Sequence, residues 1–155
     1  MTLQKPPIKR AYRAFLSGFL FNKEKGVVFI KFRAICENHL YSKAYSKGKR
    51  AVTRSVAVYV LPDYAAKRLA KAHPQKTVQN RIGLTTSTKL GGAVVRSRCR
   101  RIMREALRQV EKEREIKKGF LIVIAARSAA TSLKSTHIKE DLSFALSKLD
   151  MFVEK

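Results

Sequence analysis

The segment from Ala93 to Val110 constrains the fold more than any other stretch of the chain. At about 100° per residue, Val95, Cys99, Ile102, Met103, Ala106, Leu107 and Val110 fall on one arc, which has to be buried against another element. Two β-rich runs flank it: Arg81 to Ser87, and a short, continuous Phe-Leu-Ile-Val-Ile-Ala-Ala from Phe120 to Ala126. The chain therefore reads strand, helix, strand here, with the helix packed on the sheet. A further strand is expected at Ser55 to Leu61, closed by Pro62-Asp63. Alternation puts Val56, Val58 and Val60 on one face of it and Ala57, Tyr59 and Leu61 on the other.

Two more helices complete the pattern. Leu40, Tyr41, Ala44 and Tyr45 recur at helical spacing from Glu37 onward, and Gly48 supplies a stop after Lys47. Ser135 to Leu149 places Ile138, Leu142, Ala145, Leu146 and Leu149 on one side, with Ser135 or Thr136 as a cap. Tyr64 to Asn80 is polar, basic and interrupted by Pro74, so it reads as a long connection holding a helical turn around Ala65 to Ala72. Thr88 to Gly92 reads as a flexible connector. Residues 1–29 show no sustained period and are expected to be an N-terminal extension, disordered or lying upstream of a true start near Val27 or Val28. The domain proper spans 30–150, with a tail at 151–155.

Charge narrows the partner. Lys and Arg number 34 against 11 Asp and Glu, a formal net charge of +23. A folded chain with that surplus meets a polyanion. Six of the arginines, Arg96, Arg98, Arg100, Arg101, Arg104 and Arg108, fall within the amphipathic segment, where Glu105 is the only acid. Arg100, Arg101, Arg104 and Arg108 lie on the face adjoining the apolar arc, Arg96 at its start, and Arg98 on the opposite side. Arginine brings a planar fork that binds phosphate bidentately, which a merely solvated face does not need. About six such contacts on a single strand give a log–log salt slope near −4. By contrast, Glu111-Lys112-Glu113-Arg114-Glu115 has the alternating charge of an ordinary solvated face. Tyr41, Tyr45 and Tyr59 are candidates for stacking on unpaired bases, although by spacing alone each reads as a half-buried tyrosine.

Other classes find little support. The apolar stretch Ala14 to Phe21 falls short of the roughly 18 residues of a membrane span and lacks a cleavage site, so export is not expected. Cys36 and Cys99 show no metal or disulfide pattern, which favours a reduced, cytoplasmic protein. His39, His73 and His137 are scattered, and no nucleophile elbow, zinc signature or phosphate loop is present. Glu105, Glu140 and Asp141 read as salt-bridge partners before magnesium ligands. No catalytic residue and no protein metal site are expected.

The run Arg81-Ile-Gly-Leu-Thr-Thr-Ser-Thr-Lys89-Leu-Gly-Gly-Ala-Val-Val-Arg96-Ser-Arg98-Cys-Arg100-Arg101-Ile-Met-Arg104-Glu-Ala-Leu resembles the protein subunit of bacterial ribonuclease P. That family has a strand of the type R-V-G-L-S-V-S-K-K, a helix of the type A-V-x-R-N-R-x-K-R-x-x-R-E, and a later strand ending in A-R, as Ile122 to Arg127 does. Its opening helix, F-x-x-x-F/Y-x-x-G, is similar to Tyr41-Ser-Lys-Ala-Tyr45-Ser-Lys-Gly48. The likeness covers roughly residues 31–127 and leaves the 62–80 connection without a counterpart. Two positions depart from the pattern: Ser97 stands where the family usually has Asn, and Thr88 where it has Lys. Serine keeps a hydroxyl but lacks the amide's paired donor and acceptor.

The resemblance implies an α/β (α+β) sandwich, similar to domain 2 of ribosomal protein S5, with a left-handed βαβ crossover and a central cleft. It implies RNA contacts at Lys89, Arg96, Arg98, Arg100, Arg101 and Arg104. It further implies a cleft lined by Tyr41, Tyr45 and Tyr59 that holds the 5′ leader of precursor tRNA. The partners would be the catalytic RNA subunit and precursor tRNA, with no membrane and no DNA, and Mg2+ would be bound mainly by the RNA. The expected function is that of an endoribonuclease subunit which assists leader removal by binding and lowers the magnesium requirement. The alternative is an RNA-binding protein without a cleavage partner, such as a ribosomal protein or RNA chaperone.

Overall fold

The computed structural model describes residues 33–72 and 79–154, so the extension expected at 1–29 lies outside the described residues. The elements are β1 (Arg33–Ala34), α1 (Asn38–Lys47), β2 (Lys49–Val52), β3 (Val56–Pro62), α2 (Tyr64–Ala72), β4 (Arg81–Thr85), α3 (Ala93–Glu113), β5 (Phe120–Ala126) and α4 (Ser135–Lys148). Short 3-10 turns occupy Thr88–Leu90 and Ser128–Thr131.

The strands form one five-stranded sheet in the order β1-β4-β5-β3-β2. β4 runs parallel to both β1 and β5, whereas β3 is antiparallel to β5 and β2. Parallel neighbours need a crossover, and α3 supplies it between β4 and β5. The sheet is covered on both sides, which explains why β5 is apolar without interruption. On one face Val56, Val58, Val60, Ile122 and Ile124 pack against Met103, Ala106, Leu107 and Val110 of α3 and Ile138, Leu142, Ala145 and Leu146 of α4. On the other, Leu121 and Val123 pack under Leu40 and Ala44 of α1, with Tyr59 and Leu61 alongside. The mixed α/β layering and the division of β3 into two faces match the expectation from sequence.

Asp141 of α4 is tied to the β2–β3 turn, where its carboxylate accepts from the Ser55 amide at 2.9 Å and from the Ser55 hydroxyl. This satisfies a serine that is fully buried.

Several boundaries differ from the sequence reading for identifiable reasons. The strand expected to reach Ser87 stops at Thr85, because the Ser87 side chain caps the following turn by accepting from the Lys89 amide at 3.2 Å. α3 continues past Val110 to Glu113. The helical turn expected around Ala65 to Ala72 is a nine-residue helix. β2 escapes a periodicity search because its residues are Lys-Arg-Ala-Val, with one buried position, Ala51; charged side chains of this kind protect an edge strand. Residues 151 and 152, expected in a tail, belong to the core: Met151 and Phe152 are buried, and Phe152 bridges to Ile116.

Candidate nucleic-acid interface

Strand register arranges the α1 side of the sheet in rows. Gly83, Val123, Tyr59 and Arg50 align across β4, β5, β3 and β2, and the next row is Thr85, Ala125, Ala57 and Val52. α1 covers the first row. Tyr41 lies directly over Gly83, where an added Cβ would come within 2.4 Å of the ring, and its hydroxyl donates to the Ile35 carbonyl at 3.2 Å. Burial, with Tyr45 and Cys36 close by, holds that hydroxyl above its ordinary pKa.

The second row is left as a low floor of small side chains beside two aromatic rings. Tyr45 meets Tyr59 edge to face, with centroids 4.8 Å apart and planes at 81°. Tyr45 stays 42% exposed, and its hydroxyl lies 2.8 Å from Thr85 Oγ1. The structure thus brings Tyr45 and Tyr59 into one cluster, while Tyr41 forms the packed base of α1.

Thr86 follows Thr85 and projects to the other face of the sheet, as strand alternation requires. There its hydroxyl accepts from Arg100 at 3.3 Å, and Arg100 also donates to Ser97 Oγ at 3.3 Å. The end of β4 is therefore the seam between the tyrosine pair and the arginine helix. The sequence carried a signal for Thr85 and Thr86 in the period of two, but not for which helix each would meet.

α3 starts after Gly91, whose φ of 132° is open to glycine alone, and Gly92 forms its N-cap. Arg96, Arg100, Arg104 and Arg108 follow at steps of four and make one stripe along the helix. Arg100, Arg101 and Arg104 are exposed and Arg96 is half-buried; among the described residues none of the four forms a salt bridge. Lys89 is exposed in the turn that leads into the same helix. Arg98 projects to the opposite edge of the helix, where it donates to the Thr131 carbonyl at 2.5 Å. Arg108 is partnered by Glu105 at 3.4 Å, an exposed pair that salt screens.

Of the three carboxylates weighed as magnesium ligands, Asp141 is used by Ser55 and Glu105 by Arg108 and Gln109. Among the described residues no three His, Cys, Asp or Glu side chains gather to hold a metal ion. No helix among the described residues is long and apolar enough to cross a membrane.

The family model described as Ribonuclease P matches residues 29–150. The ribonuclease P protein component of Clostridium acetobutylicum is 30% identical over 124 residues, covering 80% of this chain and 94% of that protein. That of Bacillus velezensis is 28% identical over 116 residues, covering 75% and 88%. Among solved structures, the RNase P protein of Staphylococcus aureus superposes with a TM-score of 0.62 at 25% identity, covering 79% of this chain and all of that one. The Thermotoga maritima RNase P protein, at 20% identity and a TM-score of 0.55 over 74% and 92% of the two chains, shares the fold. With the parallel β4–α3–β5 unit, the arginine stripe and the matched span agreeing, the chain belongs to the ribonuclease P protein component family.

Proposed function

We propose that this protein binds the RNA subunit of ribonuclease P through the arginine face of α3 and receives the single-stranded 5′ leader of precursor tRNA beside Tyr45 and Tyr59. The observation that carries this reading is the seam at Thr85 and Thr86, which joins the tyrosine pair to the arginine stripe. Each half supplies one ingredient of unpaired RNA binding: rings for the bases and forks for the phosphates.

The hydrolysis belongs to the RNA subunit, and magnesium is placed there with it. The protein's own residues act by binding. Lys89, Arg96, Arg98, Arg100, Arg101 and Arg104 displace counterions from phosphates and lower the repulsion between two RNAs brought together, which reduces the magnesium needed to screen it. Tyr45 and Tyr59 stack on leader bases, and Tyr41 holds α1 at its height over Gly83. The working compartment is the cytoplasm, where precursor tRNA is made. Membership of the family weighs against the alternative of a ribosomal protein or RNA chaperone.

The test is cleavage of a precursor tRNA by its cognate ribonuclease P RNA at low magnesium, with and without the protein. Cleavage at the mature 5′ end that appears only with the protein supports the reading. Tight RNA binding without rescue of cleavage refutes it.

A further inference from the structure

α2 carries a second RNA-binding stripe, we propose, one that extends the phosphate footprint of α3 on the RNA subunit of ribonuclease P. The inference rests on the proposed binding of that RNA and concerns a segment for which the family resemblance offers no counterpart. α2 has Lys67, Arg68 and Lys71 and no acidic residue. Tyr64, Arg68 and Lys71 recur at i, i+4 and i+7, so they share one helical face. All three are exposed, Tyr64 to 70%. An aromatic ring so open to water, in line with two cations, is the combination that grips an unpaired nucleotide by its base and its phosphates.

The start of the helix is anchored to the sheet. Asp63, buried at its N-terminus, accepts from the Ala66 amide at 3.1 Å and takes both Nε and a terminal nitrogen of Arg81, at 2.5 and 2.7 Å. The Asp63 amide in turn donates to the Gly119 carbonyl at 2.9 Å. Lys67 is occupied over the Phe120 ring at 5.8 Å, so the outward charge is that of Arg68 and Lys71. The Asp63 carboxylate is taken up by Arg81, and among the described residues neither Arg68 nor Lys71 forms a salt bridge.

Position selects the RNA subunit over the leader. The floor beside Tyr45 ends at the Thr85 row, whereas α2 follows Pro62, which pairs with Phe120 at the opposite end of the strands. α3 runs back along the sheet toward that end, because it joins two parallel strands. From Arg96 to Arg108 its stripe advances about 18 Å at 1.5 Å per residue. A large RNA lying along that stripe is carried toward α2, whereas Tyr45 sits at Thr85, at the far end of the strands.

The experiment compares the full chain with the Arg68→Ala/Lys71→Ala variant and with Tyr64→Ala, titrating the ribonuclease P RNA subunit across a salt series. Loss of one to two phosphate contacts lowers affinity several-fold and makes the log–log salt slope shallower by about 1 to 2. Tyr64→Ala weakens binding at least about 5-fold with the slope unchanged. Arg68→Lys keeps the slope, and thermal melting of each variant stays at the wild-type midpoint because the three side chains are exposed. If both variants bind the RNA subunit as the wild type does while Arg101→Ala/Arg104→Ala binds weakly, the α2 stripe is refuted and the function stands. A loss seen only with precursor tRNA carrying its leader assigns α2 to the substrate and also overturns the proposal. If the wild-type chain does not bind the RNA subunit, the function itself is wrong.

Discussion

The Tyr45 hydroxyl and Thr85 Oγ1 stand 2.8 Å apart, and this contact fixes the ring of Tyr45 across the end of β4. Tyr45→Phe keeps the edge-to-face contact with Tyr59 and loses only the hydrogen bond, so leader affinity should fall by a factor of about 2 to 5. Tyr45→Ala removes a stacking surface worth roughly 1–3 kcal/mol per base, a loss of about 5- to 150-fold. Equilibrium binding of precursor tRNA with and without its leader checks both. Equal effects on leaderless tRNA would place the ring outside the leader path.

Arg98 is tied to the Thr131 carbonyl and Arg101 has no such bond, so the two should separate in experiment. Arg101→Ala and Arg104→Ala leave the thermal midpoint unchanged and each remove about 0.7 to 0.9 from the magnitude of the salt slope for RNA binding. Arg98→Ala also breaks the bond to the Thr131 carbonyl and lowers stability by about 0.5–1 kcal/mol. Urea unfolding alongside salt-dependent binding distinguishes the two behaviours.

The Asp63–Arg81 pair governs the acid limb of stability. Burial alone raises the Asp63 carboxyl, but the bonds from Arg81 and from the Ala66 amide outweigh it and hold the pKa below its ordinary value. A depressed carboxylate stabilises the fold above the unfolded pKa near 3.8, and that contribution is lost as pH falls through the lower folded value. Asp63→Asn leaves Arg81 half-satisfied and costs about 3 kcal/mol near pH 7. Urea midpoints from pH 6 to pH 2 should show the acid loss shrinking in the variant.

Glu111 acts with the opposite sign. Its Oε2 is buried without a hydrogen-bond partner among the described residues, and burial raises its pKa to about 7. The folded chain keeps the proton where the unfolded chain has lost it, so stability falls as pH rises from about 4.5 to about 7 and is level above. Glu111→Gln should stabilise the protein at pH 8 by about 1 kcal/mol, the shift being discounted for the solvent that reaches this half-buried side chain, with the gain vanishing toward pH 4.5. A variant no more stable than wild type at pH 8 would show the carboxylate to be solvated.

What the sequence made legible follows the physics of each element. β5 and α3 declare themselves because both faces of one and a wide arc of the other must be apolar. β2 did not, since a short edge strand bears charge, nor did β1, whose two residues hold no period. Arg98 was placed on the far side of the arc by angle alone, but its Thr131 partner comes from a turn 33 positions away. Met151 and Phe152 looked like a tail because a run of three apolar residues between Asp150 and Glu154 is too short to carry a pattern. Ser97 was a departure from the family motif, and the structure gives it a neighbour, Arg100, that a motif does not display.

Gly83 lies beneath the Tyr41 ring with no room for a methyl group. The two positions are thus one heritable unit. A lineage that acquires alanine at 83 must shorten residue 41 in the same step or lift α1 from the sheet, carrying Tyr45 away from Thr85. The depth of the groove is set by a residue that has no side chain to offer it, and covariation between 41 and 83 is the trace this constraint should leave among descendants of the chain.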